Sequence, residues 1–408
     1  MLVCVGGAAI LLPWLNAGRA VYVCLLASIP VIALLLQRNE LVGGVLMLVG
    51  VAALMTILRE ALVATKVVRE RMFVMLVLMF FSMLFWAFFE QAGSSINTFT
   101  DRNVDRVEEA YVVGESFLGS EIEVPVTQEQ VGYQWGGPDL STLILPDDER
   151  GEGAPTAEEM LPDGVFTLTA YDAINSKAQS DAQEANETPT AVVVGWTVGE
   201  GHMGMGVAAD GNAEIKASVF QSANPVYILM FGLGFSWLWA VLGRRGRDPS
   251  TPVKFALGLI QLGLGFYALY YGASHPDGRG MVSLSWLLLG YLLHTTGELC
   301  LSPVGLSMVT KLSPKHLVST VMGAWFLATA FSGFIAGMIA QLTGVGGEGE
   351  EVNVLPAPLE TLDTYGQVFG VIALLAILSG VMVLVLSPVL KRWMHMSPEE
   401  TQEASSGH

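Results

Sequence analysis

The stretch FWAFFEQAGSS, residues 85–95, closes a long apolar run and places one acid, Glu90, directly after two phenylalanines. An ionised side chain in hydrocarbon costs a few kcal/mol or more, so an acid kept there faces a bundle interior or a wet cavity. The fold therefore turns on whether the run before Glu90 crosses a membrane. Of the 408 residues, 52% are hydrophobic and only 14% are charged, which is too apolar for an ordinary soluble domain. Apolar stretches close to the roughly 20 residues that cross a bilayer recur along the chain. They lie at 20–37, 41–58, 72–95, 220–242, 253–272, 282–309, 318–343 and 366–390, and a shorter one at 1–15 reads as the tail of a ninth. The expected fold is an all-α polytopic membrane protein.

Charge divides the chain. Residues 96–219 hold 23 Asp and Glu against 5 Lys and Arg, which accounts for the whole net charge of −18; elsewhere 15 acids face 15 bases. The acidity belongs to one insertion, and no basic patch suits a nucleic acid. Basic residues gather in the short segments 59–72, 243–254, 310–316 and 391–395, all on one side of the proposed topology. By the positive-inside rule that side is the cytoplasm, so the insertion lies outside the cell's inner (plasma) membrane and the C-terminus inside it. The insertion is expected to form a small β-rich or partly disordered extracytoplasmic domain. Its runs at 164–174 and 190–198 read as strands and its tract at 175–188 as disorder. It contains no cysteine, hence no disulfide. The expected divisions are 1–71, a helix tail and a linker helix pair; 72–95, the first bundle helix; 96–219, the insertion; 220–395, five further helices; and 396–408, a cytoplasmic tail.

Glu298, in LLHTTGELCLSP, is a second acid inside an apolar span. Such carboxylates hold or release a proton as their surroundings change, which is what coupling to a proton gradient requires. Trp86 stands four residues before Glu90, and His294 four before Glu298, so each pair shares a helix face. An aromatic wall beside an acid suits an ammonium-bearing solute, although Trp86 also fits an interface anchor. His294 reads first as a histidine hydrogen-bonded across helices and second as a proton relay. Pro303, and Pro225 directly after Asn224, mark places where a helix can bend around a site. Gly333 and Gly337 form a small-xxx-small pair that lets helices approach. GEGHMGMG (199–206) has Met and His but no ligand spacing, so no metal is expected. No nucleophile elbow, phosphate loop or zinc signature points to an enzyme.

Taken in order, FWAFFEQAGSS, FQSANPVYI (220–228), STPVKFALG (250–258), GELCLSPVGLSMVTKLSP (297–314) and MGAWFLATAFSGFIAG (322–337) resemble the proton-dependent oligopeptide transporter family, a branch of the major facilitator superfamily. The resemblance covers roughly residues 59–390 outside the insertion. It implies the C-terminal six-helix bundle, preceded by two to three helices that include the linker pair of bacterial members. It further implies that Glu298 receives a peptide's amino terminus with Asn224 beside it, that Trp86 and Trp325 line the pocket, and that Glu90, with His294, serves proton coupling. A di- or tripeptide and protons are then the partners, with no cofactor beyond the proton gradient. The family's E-x-x-E-R-x-x-Y motif is missing, so an N-terminal half is expected to be absent from this chain or supplied separately. The long insertion is a further departure. The alternative is a membrane-anchored interaction protein displaying an acidic outer domain without transport, for which two costly buried acids would have no use.

Overall fold

The computed structural model describes residues 39–146, 149–150, 153–211, 213–344 and 355–396. The expected spans at 1–15 and 20–37 lie outside them. Helices α1 (Asn39–Val63) and α2 (Lys66–Phe89) come first, and a 3-10 turn at Glu90–Gly93 joins α2 to the short α3 (Ser95–Asn103). Strands β1 (Glu109–Val112) and β2 (Glu121–Pro125), helix α4 (Leu168–Ala185), and strands β3 (Val193–Thr197) and β4 (Gly206–Ala208) follow. The chain then returns to α5 (Ala223–Arg244), α6 (Thr251–Ala273), α7 (Leu284–Leu312), α8 (Val318–Gln341) and α9 (Pro358–Trp393). Six helical segments among the described residues are long and apolar enough to cross a membrane, and the one that begins with α2 runs on to Asn103, beyond the end expected at residue 95.

The centre of the bundle is α6, packed along α7 on one side and α9 on the other. Its glycines explain the closeness. A methyl on Gly258 would stand 2.8 Å from the Gly297 carbonyl oxygen of α7, and one on Gly297 would stand 2.7 Å from the Gly258 oxygen. Toward α9, Gly263 and Gly380 play the same part, their missing methyls falling 2.9 Å from the Ala373 and Ala256 oxygens respectively. Small residues let backbones meet and dispersion hold helices that lipid would otherwise separate. The expected pair in GFIAG is not of this kind: Gly337 has nothing within 4 Å of an added methyl, and Gly333 faces the Glu90 carboxylate. Helix α7 spans Leu284–Leu312, on both sides of position 303. By contrast α5 is bare, with Leu233 83% exposed, as a helix turned to lipid or to a neighbouring bundle must be.

The insertion has its own core, in which Trp196 and Phe166 are fully buried and Trp135 stacks on Phe166 with ring centres 4.8 Å apart. Strand β3 falls inside the run expected at 190–198 and pairs antiparallel with β2; β1 pairs with β4. Two expectations fail here. The run 164–174 is no strand, because the Thr167 hydroxyl caps the Ala170 amide and starts α4. The tract 175–188 is largely helical, not disordered, supported by the Lys177–Asp181 pair at 2.6 Å and closed by Asn186 in the left-handed region at φ 56°. Its polarity is that of a helix lying on a domain surface. The insertion docks on the loop before α7: Val282 donates to the Asn103 carbonyl at 2.7 Å, and the Arg279 guanidinium meets the Glu129 carboxylate at 2.9 Å.

Candidate functional site

Helix α2 changes course at the acid that opened the sequence reading. Its α-helical ladder ends at Phe89, Glu90 begins the 3-10 turn, and Ser94 leaves helical geometry altogether at φ −128°, ψ −96°. Three side chains pin this turn to α8. The fully buried Gln91 donates to the Ala336 carbonyl at 3.0 Å and accepts from Ser95 at 2.7 Å, and Thr343 donates to the Ser95 hydroxyl at 3.3 Å. Glu90 is half-buried beside Ser332, and its Oε2 occupies the space a side chain would take at Gly333. A carboxylate at a helix break, against a residue too small to cover it, has room for a proton or a water.

The other acid is held from a different helix. Asn224, in the first turn of α5, donates through Nδ2 to Glu298 Oε2 at 2.9 Å and to the Thr295 hydroxyl at 3.1 Å. Thr295 in turn donates to the Tyr291 carbonyl. One amide nitrogen thus fixes the carboxylate and its helix neighbour, and leaves the other oxygen, Oε1, for a donor from outside. The structure therefore brings Asn224 and Glu298 together as the sequence expected.

The surroundings of the remaining expected residues are as follows. Trp86 is half-buried, edge-on to Phe85 and Phe89. Trp325 is only 8% exposed and lies in the core, where a methyl on Gly305 of α7 would fall 2.9 Å from its ring. His294, 2% exposed, bonds the Leu262 backbone and stacks near Phe266 with ring centres 4.6 Å apart; its Nε2 has no partner. Phe89 of α2 also reaches this ring, at 6.4 Å.

Two arrangements were not found from sequence. Lys254, 2% exposed, pairs with Asp248 at 3.0 Å and lies 4.6 Å from the centre of the Trp239 ring. The basic loop hides it, since nothing in its charge pattern distinguishes a buried lysine from a solvated one. In GEGHMGMG, His202 accepts from the Gly199 amide through Nδ1 at 2.8 Å and meets the Gln134 carbonyl through Nε2 at 2.8 Å. Both ring nitrogens are occupied, so this histidine braces the domain.

A helical bundle with six segments long and apolar enough to cross a membrane among the described residues, and with two acids held inside it, has the make-up of a multi-pass membrane protein. Residues 203–354 match the model of the POT family, PTR2. The chain is 41% identical over 184 residues to the uncharacterized transporter YclF of Bacillus subtilis, a match covering 45% of this chain and 33% of that protein. It is 34% identical over 194 residues to dipeptide and tripeptide permease A of Chromobacterium violaceum, covering 48% of this chain and 37% of the permease. Among solved structures, the peptide transporter POT in complex with sulfate superposes with a TM-score of 0.51 at 22% identity, covering 94% of this chain and 56% of that one. A POT family transporter in complex with 5-aminolevulinic acid gives 0.52 at 20% identity, with coverage of 92% and 56%. These structural likenesses establish the fold. The chain spans about a third of the curated relatives' length and about half that of the solved chains. Over residues 203–354 the chain is thus similar to the POT family, and its helices share the fold of the solved transporters.

Proposed function

We propose that the chain is the C-terminal portion of a proton-coupled symporter for di- and tripeptides, working by alternating access with an N-terminal half. No bond in the substrate changes, no cofactor takes part, and a proton gradient supplies the energy. The observation that carries this reading is the bond from Asn224 to Glu298. A carboxylate oriented by a neutral donor, with an oxygen to spare, is a receptor for a peptide's ammonium group. Glu90, in its turn against Ser332 and Gly333, serves as the proton-coupling acid, because the helix break lets its surroundings differ between states. Trp86 forms a wall of the substrate path. His294 and Trp325 contribute chiefly by packing α7 against α6 and α8, in keeping with their burial and ring contacts. The protein is multi-pass in the inner membrane, with the insertion outside and the C-terminus in the cytoplasm. Proteoliposomes holding this chain with an N-terminal half should accumulate Ala-Ala only under an inwardly directed proton gradient, and the chain alone should not. Equal accumulation without a gradient contradicts the symport reading.

A further inference from the structure

A cavity of about 570 Å³ lies outside the bundle, where the insertion meets α3 and the segment that leads into α5. Small-molecule sites commonly fall between about 300 and 1,000 Å³. Its charged lining divides into a closed set and an open one. Arg106, with a side chain 3% exposed, meets Glu214 at 3.2 Å and Asp101 at 3.4 Å and donates to the Ile215 carbonyl at 2.6 Å. Glu214 also accepts from the Tyr171 hydroxyl at 2.7 Å and from the Gln128 amide at 3.2 Å. In that set one guanidinium answers two carboxylates, so it keeps a net negative charge. Two groups remain: the Asp172 carboxylate on α4 and the Lys216 ammonium, neither of which forms an ion pair among the described residues. Asp172 is open to solvent in the cavity yet enclosed by protein around it; this desolvation, together with Asp101, pushes its carboxyl up to about 6.

We propose that this cavity is a second, outer binding site for small zwitterions that carry a free primary ammonium. The ammonium goes to Asp172, beside Asp101, and the solute's carboxylate to Lys216. Burying a charge is tolerated only where a counter-charge meets it, and Asp172 and Lys216 offer a zwitterion a counter-charge for each of its two ends. Naming peptides as its occupants rests on the transport reading above. Its place is also informative: Asn97 and Asp101 lie on the continuation of the Glu90 helix, and Lys216 shortly precedes the helix of Asn224. A solute held here stands at both joints between the insertion and the transport helices.

The test is calorimetric titration of Ala-Ala into the full chain in lipid nanodiscs, carrying Glu298→Gln so that the inner receptor is removed. Ala-Ala should bind, N-acetyl-Ala-Ala should bind about ten- to a hundredfold more weakly, and Asp172→Asn or Lys216→Gln should each cost a similar factor. Both residues are exposed, and circular dichroism verifies the fold of the variants. Affinity should also fall as pH drops through about 6, where Asp172 takes up a proton, with Asp101, Arg102, Arg106, Glu214 and Lys216 as the charged groups around it. No binding of Ala-Ala, equal affinity for the acetylated peptide, or indifference to Asp172→Asn overturns the outer site. Asp172-dependent binding, with no proton-driven uptake when the chain with Glu298 intact is reconstituted with an N-terminal half, overturns the transport reading alone.

Discussion

Replacing Gly258 by alanine tests whether the bundle is held by direct backbone approach of α6 to α7. The new methyl would meet the Gly297 carbonyl oxygen at 2.8 Å, and a backbone oxygen in the middle of a helix has no rotamer by which to retreat. Overpacking of this kind costs about 1–3 kcal/mol, while alanine returns up to about 1 kcal/mol of helix propensity over glycine. The net expectation is a loss of about 1–2 kcal/mol. Gly337→Ala is the matched control, since nothing stands within 4 Å of its added methyl; it should be neutral or slightly stabilising. Thermal unfolding of both variants in detergent, followed by circular dichroism, gives the comparison. Because Gly297 immediately precedes Glu298, Gly258→Ala should also loosen the bond from Asn224. If Gly258→Ala matches the wild type or Gly337→Ala in stability, the close approach of these helices is refuted.

Trp325→Ala should destabilise by about 3–5 kcal/mol, as truncations of buried tryptophan do, and chemical denaturation would show it; a loss below about 1 kcal/mol would return Trp325 to a lining role. Glu90→Gln should abolish uphill accumulation while sparing exchange of labelled for unlabelled peptide, a split that counterflow in proteoliposomes reads directly. In the insertion, desolvation first, then Asp105 and Glu109, pushes the Glu129 carboxyl up to about 7 against the pull of Arg279. The folded state therefore holds this proton more tightly than the unfolded chain. Stability from this group is full below about 4.5 and is lost as pH rises toward 7, a change of about 3 kcal/mol. Glu129→Gln should flatten that dependence, which melting curves at pH 5 and pH 8 would reveal; an unchanged slope would place the titration elsewhere.

Much of the membrane body could be read from the chain because its signals are local. Runs of apolar residues give helices, and a costly acid such as Glu298 announces a reason for its burial. The bond from Asn224 to Glu298 was also legible, through a family motif whose members lie 74 residues apart. What sequence could not give was the choice among glycines: Gly337 sits in a familiar small-residue motif and touches nothing, whereas Gly258 and Gly297 meet across helices with no shared local pattern. The insertion misled for a related reason. TLTAYDAI alternates well enough for a strand, but Thr167 caps an amide and the polar tract after it has a surface on which to lie as a helix. Tertiary context decided there, as it did for Lys254 and for the oppositely charged pair, Asp172 and Lys216, that faces one cavity.

The most direct measurement asks whether Glu298 reads a free amino terminus. In nanodiscs, with Asp172→Asn present to silence the outer site, the affinities of Ala-Ala and N-acetyl-Ala-Ala are compared with Glu298 intact and as Glu298→Gln. Glu298 should favour the free peptide by at least about tenfold, the worth of one charge-assisted bond, and the glutamine variant should bind both alike. A preference that survives Glu298→Gln would contradict the receptor on which the account depends.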